Sequence, residues 1–531
     1  MASLNPDNPS SRGVRRDVVL NSARKTERDV LPNLDQLNLS GTRSVLPKGS
    51  VGVSDQLLPR PAEVAGKVYF SDGRNWIELA AASKAGAGLS DARVGPNEDY
   101  TTVAEAFAAG IGRIRVVGDT NEPANTTIVV PAYTHVWIDA PSVVNVPPTT
   151  NFDISGTLYL NIEGNTTAQI AHPLDPGSPV ELFEGAPADA EIRLRRVRFD
   201  LTGGSATTGP FRIGSETARW DVVDASYEVP AITDMELLSP KNPLSSYKLL
   251  RFEGEATRIM SGLVRGDIDQ VFFKGYGAGD RTFANPYIDL SPTSELRAKQ
   301  WYFEEAVEPD VVIGGGRIAE YRELHALNGG LRPAMRVQGD GVLVERSEAE
   351  YLEANTLMRA RFQNLLAREL DLSDTGSSEI VLSGGEYGDG ACPMTIAADR
   401  TRFTDGVTLV PPLDATQTGG ISVTAAYTEF ASVFLKDGEA DETKKSMTIT
   451  GTGTRMLGLT NIGAGYRDVD SSGGTKTEAT SVNLLGTSGS GKGGGLRMET
   501  KDVAANIYTA VGVFGTTNIT NEVVEGGGAT T

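Results

Sequence analysis

The sequence predicts a mainly β protein organised around a coil of parallel strands, and three observations lead to this prediction. Glycine contributes 60 and proline 27 of the 531 residues, a composition rich in turns. Short β-branched runs, each closed by Gly, Pro, Asn or Asp, recur from residue 94 onwards. The first of these runs follows a short predicted helix, which is typical of a coil whose open end is plugged.

Composition and charge exclude several classes of protein. The chain carries 69 acidic and 49 basic residues, a net charge of −20, so we expect no nucleic-acid partner. Cys392 is the sole cysteine and the three histidines (His135, His172, His325) are far apart, so no disulfide framework or metal site is predicted. No apolar run approaches the ~20 residues of a membrane span, and no signal peptide follows Met1. We therefore expect synthesis in a cytoplasm and no membrane insertion.

Residues 1–62 are predicted to form an extended N-terminal arm. They contain nine basic and six acidic residues, which gives the arm a charge of +3 and the remaining body −20 − 3 = −23. Pro, Ser, Asn and Gly interrupt every apolar run, so a disordered tail is the alternative. The basic residues that we expect to attach the arm to a partner are Arg12, Arg15, Arg16, Arg24, Lys25 and Arg28.

Residues 63–90 are predicted to be a small hairpin followed by a linker. Val68–Phe70 and Trp76–Leu79 are β-prone, and Asp72-Gly73 can form the tight turn between them. The hairpin resembles a small element frequent in phage tail-fibre and other virion proteins, through the residues Gly66, Val68, Tyr69, Phe70, Asp72, Gly73, Trp76 and Ile77. The following AAASKAGAGLS segment has the composition of a flexible link.

Residues 91–346 are predicted to form the coil. Thr102 and Glu105 have the spacing of a capping box, Val103, Ala106 and Phe107 share one helical face, and a left-handed C-cap is expected at Gly110. Short strands follow at irregular intervals without a regular repeat. A coil with loose turns and loop insertions has this pattern, and so does a β-sandwich.

The start of this region resembles the opening of pectin-lyase-like right-handed β-helix proteins. The similarity covers Asp99 to Ala106, a helix beginning Asp-Tyr-Thr-Thr, and then the strand and glycine from Ile114 to Gly118. The resemblance implies a right-handed parallel β-helix. It implies no catalytic residues, because enzymes and structural proteins share the fold.

Two further regions complete the predicted organisation. Residues 347–370 are predicted to be a helical connector, because Ser347 and Glu350 form a second capping-box pattern and apolar residues follow at three-four spacing. Residues 371–531 return to short strands and glycine-rich turns, which we interpret as β-sandwich or β-prism modules.

The candidate catalytic residues are four carboxylates, Asp267, Asp269, Glu304 and Glu305. Asp267 and Asp269 are two apart, so on a strand both face the same side. Glu304 and Glu305 follow Trp301, Tyr302 and Phe303, which could form a sugar-stacking platform. The favoured interpretation of the two aspartates is a solvated face or turn of the coil. The favoured interpretation of the aromatic cluster is a core edge or a subunit contact.

No cofactor is predicted. The string Gly486-Thr487-Ser488-Gly489-Ser490-Gly491-Lys492 resembles a phosphate-binding loop, but Gly493 stands where Ser or Thr should bind Mg²⁺. The three glycines that follow Lys492 also oppose the helix that such a loop requires.

Taken together, these features favour a structural virion protein: a fibre, spike or tail component that is attached to the particle through its arm and contacts the host surface. The alternative is a tailspike-like glycan depolymerase, a glycosidase or lyase that would use the four carboxylates. The predicted partners are two further copies in a homotrimer, other virion proteins bound through residues 1–62, and a host-surface glycan or receptor.

Overall fold

The structure, a computed structural model, divides the chain into two units, Met1–Asp91 and Ala92–Thr531. It describes residues 92–461, the strands between 61 and 79, and the backbone of six strands between 469 and 514. Eleven short gaps interrupt the main range: 166, 208–210, 215, 232–234, 255–257, 276–280, 306–307, 317–318, 390–393, 412–419 and 437–446. The basic residues of the predicted arm and the glycine-rich string 486–492 lie outside the described residues.

The first unit contains three antiparallel strands, β1 (Pro61–Val64), β2 (Lys67–Ser71) and β3 (Trp76–Leu79). In the pairing of β2 with β3, Ser71 lies opposite Trp76, and this antiparallel register confirms that the two strands form the predicted hairpin. The expected turn residues Asp72 and Gly73 lie outside the described residues. The third strand, β1, pairs with the other edge of β2.

The second unit begins with the predicted capping helix, α1 (Val103–Ala108). The Oγ1 of Thr102 accepts a hydrogen bond from the backbone N–H of Glu105 at 3.1 Å. The Glu105 carboxylate accepts from the N–H of Thr101 at 2.9 Å and from its hydroxyl at 2.7 Å, and these bonds lower the pKa of Glu105. Val103, Ala106 and Phe107 are buried, as their shared helical face predicts.

A buried carboxylate also caps this helix. The side chain of Glu122 accepts hydrogen bonds from the N–H groups of Val103 at 3.0 Å and Ala104 at 2.9 Å, and from the hydroxyl of Thr120 at 3.0 Å. Burial outweighs these bonds and raises the pKa of Glu122. The first N–H groups of a helix have no partner within the helix, and here Glu122 accepts two of them, which fixes α1 to the first turn of the coil.

The strands of the first turns are short. They are β4 (Ala92–Val94), β5 (Arg113–Val116), β6 (Thr120–Asn121), β7 (Thr127–Val129), β8 (Tyr133–Ile138), β9 (Val143–Asn145), β10 (Asn151–Asp153), β11 (Tyr159–Glu163), β12 (Gln169–Ala171), β13 (Glu181–Glu184), β14 (Glu191–Asp200) and β15 (Arg212–Gly214).

Longer strands form the middle of the coil. They are β16 (Arg219–Val229), β17 (Ser246–Gly254), β18 (Met260–Gly262), β19 (Arg265–Lys274), β20 (Ile288–Leu290), β21 (Glu295–Glu304), β22 (Asp310–Gly315), β23 (Glu320–Arg322), β24 (Leu324–Leu327), β25 (Ala334–Asp340), β26 (Leu343–Glu345), β27 (Glu348–Met358) and β28 (Arg361–Leu372).

The remaining strands continue the same arrangement. They are β29 (Val381–Tyr387), β30 (Met394–Ile396), β31 (Arg402–Thr404), β32 (Thr408–Leu409), β33 (Ile421–Val423), β34 (Glu429–Leu435), β35 (Met447–Ile449), β36 (Arg455–Asn461), β37 (Val469–Asp470), β38 (Glu478–Thr480), β39 (Asn483–Leu485), β40 (Leu496–Arg497), β41 (Ile507–Thr509) and β42 (Gly512–Phe514).

Every strand pairing within the second unit's described residues is parallel, and this confirms the right-handed parallel β-helix. Paired residues lie 17 to 32 positions apart in sequence, as in Arg336 with Glu353 and Asn161 with Arg193. The coil has about 14 turns. At a strand spacing of about 4.8 Å, this corresponds to roughly 65 Å along its axis.

The helical connector predicted at 347–370 is wrong. This segment forms most of β27 and β28, which pair in parallel with each other and with the neighbouring turns. Their side chains alternate between core and surface over short runs, which is the pattern of a strand.

The predicted boundary after residue 370 is also not seen in the pairing. β29 to β39 form parallel pairs with strands one turn before and one turn after them, and β40 to β42 pair in parallel with β37 to β39 of the preceding turn. The described strands of 371–531 therefore extend the coil instead of forming a separate β-sandwich or β-prism, in which antiparallel pairing would be expected.

The core contains a ladder of stacked aromatic rings from five successive turns. The rings of Phe199, Tyr227, Phe252, Phe273 and Phe303 follow one another at centroid distances of 5.1 to 5.6 Å. All five are at most 1% exposed. Parallel register places equivalent side chains directly above one another, so each ring packs on the ring of the preceding turn.

The corners of the coil are formed by columns of residues in the left-handed backbone region. One column contains Glu323, Arg346, Asn364, Gly384, Asp405, Ser432 and Gly458, with φ between 50° and 82° at all seven residues. A second contains Arg359, Glu379, Arg400, Tyr427 and Gly453. A left-handed residue turns the chain sharply, so stacked corners divide the outer surface into flat faces.

His172 is fully buried next to Phe211, with a centroid distance of 5.6 Å between the rings. Its Nδ1 lies 3.2 Å from the carbonyl oxygen of Val146, and burial lowers its pKa from 6.5 to about 4. The imidazole is therefore neutral in the folded chain at pH 7. Its contribution to stability is complete above pH 6.5 and is lost as the pH falls towards 4, because the unfolded chain takes up the proton first.

We expect this histidine to make the protein acid-sensitive. Between pH 7 and pH 5 the wild type should lose about 2 kcal/mol of unfolding free energy through His172. The variant His172→Gln, which has no titrating group, should show a correspondingly smaller loss in urea unfolding at the two pH values. Equal losses in the two proteins would contradict the assignment.

Candidate functional site

The four candidate carboxylates lie on two different faces of the coil. Asp267 and Asp269 both point outward from β19, as their spacing predicts. In β19 and β21 the alternation of buried and outward residues is interrupted at Asp269–Gln270 and Lys299–Gln300, where two successive side chains both point outward. This interruption marks a corner. Asp267 precedes the corner and Asp269 is part of it, whereas Glu304 ends β21 beyond the corner and Glu305 follows directly.

The distance between the two pairs is too large for joint catalysis. Asp269 is bonded to Lys299 of the next turn, and Glu304 lies five residues beyond Lys299. That path is on the order of 15 Å, whereas glycosidic acid and base groups are about 5 to 9.5 Å apart. The geometry therefore gives no support to a shared active site of these four residues.

Three of the four candidates have a local partner, which for Asp269 is Lys299. Glu304 accepts a hydrogen bond from the side-chain amide of Asn328 at 2.7 Å, and Glu305 lies 3.8 Å from the Nζ of Lys274. Trp301 and Phe303 are fully buried, so the core-edge interpretation is correct for both. Of the three aromatic residues, only Tyr302 points outward. Its ring lies between those of Phe272 and His325 in the neighbouring turns, with centroid distances of 5.0 and 6.5 Å.

A polar groove of about 450 Å³ lies along the corner next to Asp269. Its lining includes the cations Lys248, Lys299, Arg322 and Arg346. A ladder of hydrogen bonds runs along it: the Gln270 amide donates to Gln300 at 2.5 Å, and Gln300 donates to Glu323 at 2.8 Å. Arg346 pairs with the same Glu323 at 3.0 Å.

This groove was not identified from the sequence, although a signal for it exists. At each of four turns two successive polar residues precede a buried one: Asp269-Gln270, Lys299-Gln300, Arg322-Glu323 and Glu345-Arg346. These pairs are where the chain turns a corner. The groove offers charged and amide groups for a polar ligand, but its carboxylates are already bonded to neighbouring cations or amides.

A second group of carboxylates surrounds Arg212. Glu181 lies 3.8 Å and Glu216 3.0 Å from its guanidinium, and Glu236 bonds to it as well. Burial raises the pKa of Glu181. Burial also opposes ionisation of Glu216, but hydrogen bonds from Lys241 and Ser239 outweigh it and lower that pKa. The guanidinium occupies the space between the carboxylates, so the group is an ion-pair network that stabilises the fold.

Comparisons with known proteins found no matching family model, no similar curated protein and no similar solved structure. Among the described residues, no helix is long and apolar enough to span a membrane, and no three His, Cys, Asp or Glu side chains are placed to share a metal ion. The fold itself defines the class: the chain is a right-handed parallel β-helix protein.

Proposed function

We propose that the protein is a structural component of a virion, a fibre, spike or tail element that attaches to the particle through residues 1–62 and contacts the host surface through its coil. The observation that carries the proposal is the parallel coil of about 14 turns, closed at its first turn by α1. Such a coil is typical of fibre and tailspike proteins.

Charge supports the role of the arm. The arm is +3 and the body −23, so the arm is suited to an acidic docking surface on another virion protein. The resemblance of the sequence from Gly66 to Ile77 to an element of tail-fibre proteins supports the same assignment. The separation of Asp267 and Asp269 from Glu304 and Glu305 favours a structural role over a depolymerase.

We further propose that the body is a homotrimer. The support comes from one outward column in which Phe272, Tyr302, Leu366 and Phe434 recur among polar residues such as His325, Glu386 and Thr408. Leu366 is 41% and Phe434 38% exposed. Exposed apolar side chains that recur along one face suit burial against identical copies around a three-fold axis.

One experiment tests attachment and assembly together. Analytical ultracentrifugation of the full chain should give a species near three times 56.3 kDa. Deleting residues 1–62 should leave a folded body of unchanged oligomeric state that no longer incorporates into particles, and wild-type incorporation should weaken with added salt. A stable monomer would contradict the trimer, and normal incorporation of the deleted protein would contradict the arm.

A further inference from the structure

One face of the coil carries a row of outward arginines. The face lies between the two corner columns and contains the first residues of β28, β29, β31, β34 and β36. Its first outward column follows the register Arg297, Glu320, Leu343, Arg361, Val381, Arg402, Glu429 and Arg455. We name the surface formed by Arg297, Arg361 and Arg402, together with Ser383 and Thr404 beside the last two, the arginine strip.

The three arginines of the strip are exposed and form no ion pair or side-chain hydrogen bond with the described residues. This is unusual here, because nearby arginines at the corners are paired: Arg400 with Glu379 at 3.0 Å, and Arg359 with Asp340. Two carboxylates stand in the same column, Glu320 one turn after Arg297 and Glu429 one turn after Arg402, but they pair with Arg322 and Arg455 instead. Arg361 lies between the apolar residues Leu343 and Val381. Free guanidinium groups in a row are suited to a ligand with carboxylates in a row.

A shallow track of small side chains runs beside the arginines. The second outward column of the face contains Gln363, Ser383, Thr404 and Ala431 in successive turns. Ser383 and Thr404 donate their hydroxyl hydrogens to Asp405 at 2.6 and 2.9 Å, and these bonds lower the pKa of that carboxyl. Their oxygen lone pairs remain able to accept hydrogen bonds from hydroxyl groups.

The spacing of the arginines indicates the form of the ligand. Arg361 and Arg402 are two turns apart, which is about 10 Å, and Arg297 lies three turns before Arg361, about 14 Å. One sugar unit of an extended chain is about as long as one strand spacing, so a carboxylate on every second sugar recurs at nearly the interval of Arg361 and Arg402. Tyr427, 59% exposed at the corner, offers a ring against which a sugar can pack.

We propose that the arginine strip binds a linear acidic polysaccharide, with carboxylates on alternate sugars, lying parallel to the axis of the coil. Arg361 and Arg402 bind successive carboxylates in bidentate fashion, and Ser383 and Thr404 accept hydrogen bonds from sugar hydroxyls. This inference goes beyond the proposed function and is independent of it, because the binding belongs to the free protein and not to a particle.

The test measures binding of hyaluronan, which carries a carboxylate on every second sugar, to the full chain by isothermal titration calorimetry. The double variant Arg361→Gln/Arg402→Gln removes the central pair of the strip. The control Arg251→Gln/Lys274→Gln removes the same charge from another face, where Arg251 pairs with Asp224 at 2.6 Å and Lys274 with Glu253 at 3.4 Å. Because Arg361 and Arg402 are exposed and unpaired, their replacement should leave thermal unfolding unchanged.

We expect the strip variant to bind hyaluronan about tenfold or more weakly than the wild type, and the control to stay within about twofold. The affinity of the wild type for hyaluronan should fall as salt is raised from about 50 to about 300 mM, because salt screens exposed ion pairs. Neutral dextran should not bind. Absence of hyaluronan binding at low salt, or equal losses in both variants, would overturn the proposal. Duplex DNA bound at the strip with equal affinity would also overturn it.

Discussion

Replacing Phe107 with aspartate is expected to abolish stable folding at the capped end of the coil. Phe107 is 5% exposed and packs from α1 onto the first turns. Burying an unpaired carboxylate there costs several kcal/mol, which is comparable to the whole stability of many domains. We expect loss of soluble protein or a fall of the melting temperature by more than ten degrees, measured by circular dichroism.

The neighbouring residue provides the matched control. Ala108 lies in the same helix but is exposed, so Ala108→Asp adds the same charge without burying it. This variant should melt within a few degrees of the wild type. Wild-type melting of Phe107→Asp would show that α1 does not seal the coil.

Replacing Phe252 with alanine should lower the free energy of unfolding by about 3 to 5 kcal/mol, the usual cost of truncating a buried phenylalanine. Phe252 is the middle ring of the core ladder and contacts Tyr227 at 5.1 Å and Phe273 at 5.6 Å. Its loss leaves a cavity between two rings that the fixed strand spacing prevents from closing. Urea unfolding of the full chain measures the effect.

The variant Phe252→Leu separates the loss of volume from the loss of stacking. Leucine refills most of the space, so the cost should fall to about 1 to 2 kcal/mol. A cost of Phe252→Ala below that of Phe252→Leu would mean that the coil adjusts its turn spacing around a vacant position, which contradicts a rigid ladder.

The cap and the strand class were predictable because they depend on local sequence. Thr102, Glu105 and the face of Val103, Ala106 and Phe107 specify a short helix within seven residues. Glu122 was not predictable in the same way. Glu122 is 18 residues away from Ala104 in sequence, and it caps α1 only because the first turn of the coil brings the two residues together.

The mistaken helix at 347–370 has a specific physical cause. Its three-four spacing was counted through Met358, Phe362 and Leu365, but Met358 is 44% exposed. Phe362 and Leu365 are three apart because the left-handed residue Asn364 turns the chain and inserts an extra outward position. A strand that alternates with period two and turns a corner imitates the period of a helix.

The same corners explain why the candidate site could be predicted only in part. The outward direction of Asp267 and Asp269 follows from their two-residue spacing. Their separation from Glu304 and Glu305 depends on the corner at Lys299–Gln300, and the partner of Asp269 depends on a register of 30 residues to the next turn. Turn lengths that vary between 17 and 32 residues leave no fixed repeat from which such partners could be read.

The parallel register has a consequence for how the chain folds. Because paired residues are separated by one turn, a mean near 25 residues in a chain of 531, the relative contact order is about 0.05, far below the values of about 0.16 to 0.22 found for β-sandwiches and barrels. Each turn needs only its neighbour as a template, so the nucleus can form at any well-packed turn and growth proceeds in both directions. The aromatic ladder, with five large rings in successive turns, is the part of the coil where we expect that growth to begin.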